Sequence, residues 1–139
     1  MRIFIDSDVV ISSLLSSSGA ASILLRHTSN ITLTISSLSQ KEVEVVVKRL
    51  GIVKKDLDTM IEKKIEVVEL EESIEKIRKK YKDYVTDEND AHIIAGGVKA
   101  KADFLVTYNL KHYKIDKIKT DFDMIVMTPA KFLQYLRSR

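Results

Sequence analysis

VTDENDAHIIAGGVKAKADFLVTYNLKHY, the stretch at residues 85–113, decides the fold that this sequence predicts. Its first half predicts a helix that begins with two carboxylates, Asp87 and Asp90. Its second half predicts a short buried strand that ends on the polar residues Thr107 and Asn109. Ligands of open α/β sheets bind where strands end and the following helices begin, so these polar groups are candidates for one binding site.

A second strand of the same kind is predicted at residues 2–5 and ends on Asp6, Ser7 and Asp8. A carboxylate at the end of a buried strand is costly unless something compensates its charge, which makes Asp6 the most informative single residue. We therefore expect this strand end and the stretch at residues 85–113 to meet in one acidic, metal-binding pocket.

The composition is that of one ordinary domain spanning residues 1–139. Hydrophobic residues make up 45% and charged residues 31% of the sequence, and no apolar run approaches the roughly 20 residues of a membrane span. The first residues lack a secretory-signal pattern, so we expect a cytoplasmic location. The absence of cysteine excludes disulfides, thiolate nucleophiles and zinc held by sulfur. The net charge of +3 permits a nucleic-acid partner without requiring one.

Strands and helices alternate along the chain. Strands are predicted at residues 2–5, 31–35, 65–68, 104–107 and 124–127, and helices at residues 9–15, 20–26, 39–50, 54–63, 71–81, 87–99 and 129–137. This alternation favours an α/β fold with a parallel sheet covered by helices on both faces.

Each candidate polar residue in these two stretches also has an ordinary structural explanation. Ser7 or Asp8 would cap the helix after the first strand, and Asp6 could do the same. Asp87 and Asp90 suit the positive end of a helix dipole, and Asn109 suits a turn. The functional interpretation therefore depends on the whole set rather than on any single residue.

Two glutamates flank the apolar face of the helix predicted at residues 39–50. Glu44 has the spacing of an exposed ion pair with Lys48. Glu42 has no base at that spacing, but the order from Ser39 to Glu42 is a capping-box pattern. The sequence leaves open which of the two belongs to the acidic site.

The histidines do not form a metal site of their own. His27, His92 and His112 stand far apart without paired ligand spacing, so zinc or non-haem iron has little support. We expect them at the surface or beside the ligands. An all-oxygen site of aspartates, a glutamate and an amide carbonyl suits Mg²⁺ or Mn²⁺.

The order of several short motifs resembles that of the PIN-domain ribonucleases. These are Asp6 closing the first strand, Glu42 following Ser36, DAHIIA at residues 90–95, LVTYN at residues 105–109 and TPAKFL at residues 128–133. The resemblance covers nearly the whole chain. It implies a three-layer α/β/α domain with a central, mainly parallel sheet.

The resemblance also implies a function. PIN-domain ribonucleases of this size are Mg²⁺- or Mn²⁺-dependent endoribonucleases, and many are VapC-like toxins that are held inactive by a cognate antitoxin and commonly form homodimers. The implied metal and catalytic residues are Asp6, Glu42, Asp90 and Asn109, with support from Ser7, Asp8, Asp87 and Thr107.

Two residues depart from the family pattern. Most members carry an aspartate where Asn109 stands, so one negative charge is missing and a second metal ion should bind more weakly. Asp8 stands where asparagine is commoner and would partly restore that charge, and Asp87 is another candidate for this role.

Two alternatives remain at this stage. The DSDVV run at residues 6–10 resembles the first motif of haloacid-dehalogenase-like phosphatases, in which Asp6 would be the nucleophile and Asp8 its acid/base partner. However, Thr107 follows Asp87 and Asp90, which is the wrong order for that family. The other alternative is a catalytically impaired PIN fold that binds RNA or protein.

Overall fold

Five parallel strands form the central sheet in a computed structural model of the chain, which describes residues 1–27, without the His27 side chain, and residues 29–139. The strands are β1 (Arg2–Ile5), β2 (Thr32–Ser36), β3 (Ile65–Val68), β4 (Phe104–Val106) and β5 (Ile125–Met127). They lie in the order β3-β2-β1-β4-β5, and every neighbouring pair is parallel. The predicted parallel sheet is confirmed, with β1 at its centre.

Helices cover both faces of the sheet. The helices in the described residues are α1 (Ser7–Leu15), α2 (Ala20–His27), α3 (Ser37–Arg49), α4 (Lys54–Lys64), α5 (Ile74–Tyr81), α6 (Ala91–Lys99), α7 (Ile115–Phe122) and α8 (Pro129–Arg137). Side chains along a strand alternate between the two faces. Ile3 and Ile5 therefore pack with α1, α2, α3, α4 and α8, whereas Phe4 packs with α5, α6 and α7. This is the predicted three-layer α/β/α arrangement.

Helix α6 lies close to β1 because Gly96 has no side chain. A Cβ atom at Gly96 would lie 2.4 Å from Cζ of Phe4 and 3.2 Å from Cβ of Ser36. A larger residue would therefore displace either the buried Phe4 ring or α6. Asp90 directly precedes α6, so this close approach sets how near Asp90 lies to the ends of the strands.

Two helix starts lie next to the candidate acids: the first decides between the capping alternatives, and the second differs from the prediction. The N-cap of α1 is Asp6, whose side chain accepts a hydrogen bond from the backbone N–H of Ser7, so neither Ser7 nor Asp8 is the cap. The helix predicted at residues 87–99 begins instead as a 3-10 turn, Glu88–Asp90, capped by Asp87. Asp8 is left with its carboxylate available for other contacts.

Two further predictions about helices are wrong or incomplete. The cap of α3 is Ser36, whose hydroxyl accepts a hydrogen bond from the backbone N–H of Ser39, so Ser39 and Glu42 do not form the predicted capping box. Helix α7 was not predicted, although Ile118 at its centre is fully buried.

In the described part of the chain, no single helix is long and apolar enough to cross a membrane, and α1 and α2 reach that length only as a pair bent by 96°.

Candidate active site at the carboxyl edge of the sheet

Asp6 lies at the centre of the candidate site. Its backbone N–H continues the sheet by donating to the carbonyl oxygen of Val106 at 3.0 Å. Oδ1 of Asp6 accepts a hydrogen bond from the N–H of Ser7 at 2.7 Å, and Oδ2 accepts from the hydroxyls of Thr107 at 2.9 Å and Tyr113 at 2.6 Å. Only 9% of Asp6 is exposed. These bonds compensate the burial of its charge and fix the direction of the carboxylate.

Asp8 lies beside Asp6 and carries an unsatisfied oxygen. Its Oδ2 accepts hydrogen bonds from the N–H of Tyr108 at 3.1 Å and from Nδ2 of Asn109 at 2.9 Å. Its Oδ1 is buried without a hydrogen-bond partner among the described residues. Burial, and then the negative charge of Asp6, raise the pKa of Asp8 to about 7. This corner of the protein therefore holds more negative charge than its hydrogen-bond donors compensate.

Glu42 reaches the same edge from α3. Its Oε1 accepts a hydrogen bond from the hydroxyl of Ser7 at 3.3 Å and lies 3.1 Å from Nε2 of His92. Glu44 instead lines a separate groove between α3 and α4, together with Val45. The geometry therefore favours Glu42 as the glutamate of the site, which the sequence left open.

Asp90 approaches from the start of α6. Its Oδ2 lies 3.3 Å from Nδ1 of His112. Burial raises the pKa of Asp90, as does the negative charge of Asp6, while the neighbouring His112 opposes the shift. The charge of Asp87 adds to the shift, but the Oδ1 of Asp87 caps the 3-10 turn by accepting the N–H of Asn89 at 2.9 Å. Asp6 and Asp90 thus interact electrostatically at one edge of the sheet.

Two consecutive residues, His112 and Tyr113, contact the two principal aspartates. His112 lies at the surface beside Asp90, as expected for the histidines, whereas sequence reasoning missed Tyr113. An isolated antiparallel bridge joins Tyr113 to Val85, and the N–H of Thr86 donates to the carbonyl oxygen of His112 at 3.0 Å. Burial and the nearby charge of Asp6 raise the pKa of Tyr113 above its usual range, so its hydroxyl stays a donor. Both residues lie in the stretch at 85–113, but no spacing rule singles them out.

The donor set fits a hard divalent cation in its chemistry. Among the described residues, no group of three or more histidine, aspartate or glutamate side chains is placed so that it could hold a metal ion. Mg²⁺ does not require one, since it is usually held by one or two carboxylates and keeps several waters. A bound dication would satisfy the unpartnered Oδ1 of Asp8 and relieve the repulsion of Asp6 with Asp8 and with Asp90. The His27 side chain lies outside the described residues.

The protein is thus an α/β/α domain with acidic side chains at the carboxyl edge of its parallel sheet. We call the group of Asp6, Asp8, Glu42 and Asp90 the acidic corner. A family model described as the PIN domain matches residues 2–111. The chain therefore belongs to the PIN domain family, as the motif order predicts. This membership argues against the haloacid-dehalogenase-like alternative.

Solved structures share this fold over most of the chain. A chain in the crystal structure of VapBC2 from Rickettsia felis, bound to a DNA fragment from their promoter, matches with a TM-score of 0.62 and 17% identity, covering 92% of this chain and 98% of that one. FitAcB from Neisseria gonorrhoeae matches with a TM-score of 0.59 and 18% identity over the same shares, 92% and 98%. At these identities the likeness concerns the fold alone. A search of curated protein sequences gives no significant match.

Proposed function

We propose that this protein is a metal-dependent endoribonuclease that hydrolyses RNA phosphodiester bonds. The observation that carries the proposal is the electrostatic crowding of Asp6, Asp8 and Asp90 at one corner, where burial and the charge of Asp6 raise the pKa values of the other two. Without a cation such crowding opposes folding and repels phosphate. A dication would turn the same corner into a phosphate-binding site.

In this proposal, different residues of the acidic corner and its surroundings have different roles in hydrolysis. When bound, Mg²⁺ or Mn²⁺ supplies Lewis-acid stabilisation of phosphate charge and lowers the pKa of water. Asp6 and Asp90 would hold the ion, with Glu42 and Asn109 as further ligands. Glu42 also has the position to orient the attacking water or accept its proton, because its carboxylate is half exposed and held by Ser7 and His92.

Thr107 and Tyr113 act as positioning residues in this proposal. Both donate hydrogen bonds to the same oxygen of Asp6, and both are buried. Ligands whose outer partners are fixed hold a metal ion in one geometry. The two hydroxyls would therefore keep Asp6 directed towards the ion.

Asn109 favours a second candidate, an impaired PIN fold that binds RNA without cleaving it. The Asn109 side chain is an uncharged amide, so it cannot offset the positive charge of a metal ion as an aspartate would. Its Nδ2 instead donates a hydrogen bond to Asp8. Asp8 contributes the carboxylate that Asn109 lacks, which keeps cleavage the better-supported function.

The similarity to VapBC2 and FitAcB supports a further part of the proposal, that this protein is the toxin half of a toxin-antitoxin pair with a cognate antitoxin. A homodimer and a cytoplasmic location stay predictions. Inspection of the neighbouring reading frames for a short antitoxin-like protein, followed by co-expression and co-purification of any candidate, tests the pairing.

Cleavage of single-stranded RNA in the presence of Mg²⁺ or Mn²⁺ tests the central proposal. We expect Asp6→Asn and Asp90→Asn each to lower the cleavage rate by more than about 100-fold. Mutation of a group that only hydrogen-bonds a metal ligand already lowers metal affinity or activity by about 10–100-fold. Asp58→Asn, an exposed change on α4, is the matched control and should cleave normally. Cleavage that survives in both site variants would reject the assignment, and binding without cleavage by the wild type would favour the impaired PIN fold.

A further inference from the structure

A groove of about 470 Å³ borders the acidic corner between α3, α5 and the start of α6. Its apolar walls come from Leu38, Ile74 and Ile77. Glu42 and His92 line the groove as well and contact each other at 3.1 Å. Since Glu42 also accepts a hydrogen bond from the α1 residue next to Asp6, the groove and the acidic corner share a boundary.

Polar side chains that suit a nucleobase stand between these walls. The remaining polar lining consists of Lys41, Arg78, Glu88 and Asn89. Nη2 of Arg78 donates to Oδ1 of Asn89 at 2.7 Å. Unpaired bases are recognised by stacking on guanidinium planes and apolar side chains and by hydrogen bonds to their edges. The Lys41 and Arg78 charges would attract the phosphates on either side of such a base.

We propose that this groove is a nucleoside-binding subsite that holds one unpaired base of single-stranded RNA next to the scissile phosphate. The proposal rests on the proposed endoribonuclease function, because the neighbouring phosphate is the one that the acidic corner would cleave. The groove volume lies within the range of about 300–1,000 Å³ for small-ligand sites, which leaves room for one nucleoside.

The groove between α3 and α4 provides an internal comparison. It is larger, about 720 Å³, and its lining includes Val45, Lys48 and Ile52. It contains apolar and basic groups as well, including Lys41, which lines both grooves, but none of the candidate metal-binding or supporting residues lines it. Continuity with the acidic corner therefore distinguishes the α3–α5 groove as the substrate subsite.

A titration with free ribonucleosides tests the subsite without metal and without cleavage. We would record ¹H–¹⁵N NMR spectra of the full chain in EDTA while adding adenosine, guanosine, cytidine and uridine separately. At least one nucleoside should give saturable shifts centred on Leu38, Ile74 and Asn89. Nucleosides carry no phosphate, so the repulsion of the metal-free acids does not oppose their binding.

A pair of matched variants locates the binding. Ile74→Ala removes apolar contact from the subsite, and Val45→Ala removes a similarly exposed group from the α3–α4 groove, the two residues being 48% and 58% exposed. We expect the dissociation constant of the bound nucleoside to rise about fivefold or more in Ile74→Ala and to stay unchanged in Val45→Ala. In RNA cleavage, Ile74→Ala should alter the preferred cleavage sequence.

The outcomes separate this proposal from the proposed function. Absence of groove shifts with all four nucleosides, or equal loss in both variants, overturns the subsite even if RNA is cleaved. Groove shifts that Ile74→Ala weakens, in a protein that does not cleave RNA, support the subsite and reject the endoribonuclease. Shifts confined to the α3–α4 groove also overturn the subsite.

Discussion

Replacing Tyr113 by phenylalanine removes one hydrogen bond from Asp6 and keeps the packing of the ring. The hydroxyl of Tyr113 donates to Oδ2 of Asp6 at 2.6 Å, and the two residues are 5% and 9% exposed. Hydrogen bonds to charged groups contribute about 1.5–3 kcal/mol. Asp6 retains its bonds from Ser7 and Thr107, so we expect the lower end of that range.

The loss should be visible in the metal-free protein. A decrease of about 1.5–2 kcal/mol in the free energy of unfolding lowers the Tm of a chain of this size by about 5–8 °C. Without the Tyr113 hydroxyl, the carboxylate of Asp6 is less firmly oriented. We therefore also expect the affinity for Mg²⁺ or Mn²⁺ to fall about tenfold. Calorimetric metal titration measures this affinity directly.

The protein contains a matched control for this experiment. The hydroxyl of Tyr84 donates to Oδ2 of Asp121 at 2.6 Å, which is the same type of bond at the same length but at the surface. Tyr84→Phe should therefore leave metal affinity unchanged. Unchanged metal affinity in Tyr113→Phe, or an equal decrease in Tyr84→Phe, would refute the argument that the Tyr113 hydroxyl positions Asp6.

Two further predictions concern the neighbouring pair Asp8 and Asn109. The pKa of Asp8 rises from 3.8 to about 7 on folding, so the folded state binds more protons in that interval and the stability of the metal-free protein falls as the pH increases through it. Asp8→Asn should flatten this dependence in thermal unfolding measured from pH 4 to pH 8, and an unchanged slope would contradict it. Asn109→Asp replaces a donor to Asp8 by a second carboxylate, which should lower the Tm in EDTA and tighten Mg²⁺ binding by calorimetry. Equal metal affinity in this variant would place Asn109 outside the ligand set.

The sequence was sufficient to predict that Asp6 and Thr107 lie close together. Both follow apolar strand patterns, and strands that run parallel end at the same edge of a sheet. β1 and β4 are neighbours, and the Thr107 hydroxyl lies 2.9 Å from Oδ2 of Asp6. A topological rule of this kind does not depend on side-chain detail, which is why it could be applied before the structure was known.

The roles of Glu42, His112 and Tyr113 required three-dimensional information. Glu42 and Glu44 flank the same apolar face, so the choice between them depends on where α3 begins and how it is rotated. His112 and Tyr113 reach the aspartates in a segment that is held by the bridge from Tyr113 to Val85 and by the hydrogen bond from Thr86 to His112. Contacts between distant segments outside the periodic elements leave no pattern in a single sequence.

The geometry of the acidic corner depends on Gly96, and a comparison of the carboxylates alone would not detect this dependence. Another chain could carry every acid of this site at the same spacing and still differ in metal chemistry, if a bulkier residue at this position separated Phe4 from α6. When relatives are sorted into active and inactive members, the residue at position 96 is therefore as informative as Asp90, which directly precedes the same helix.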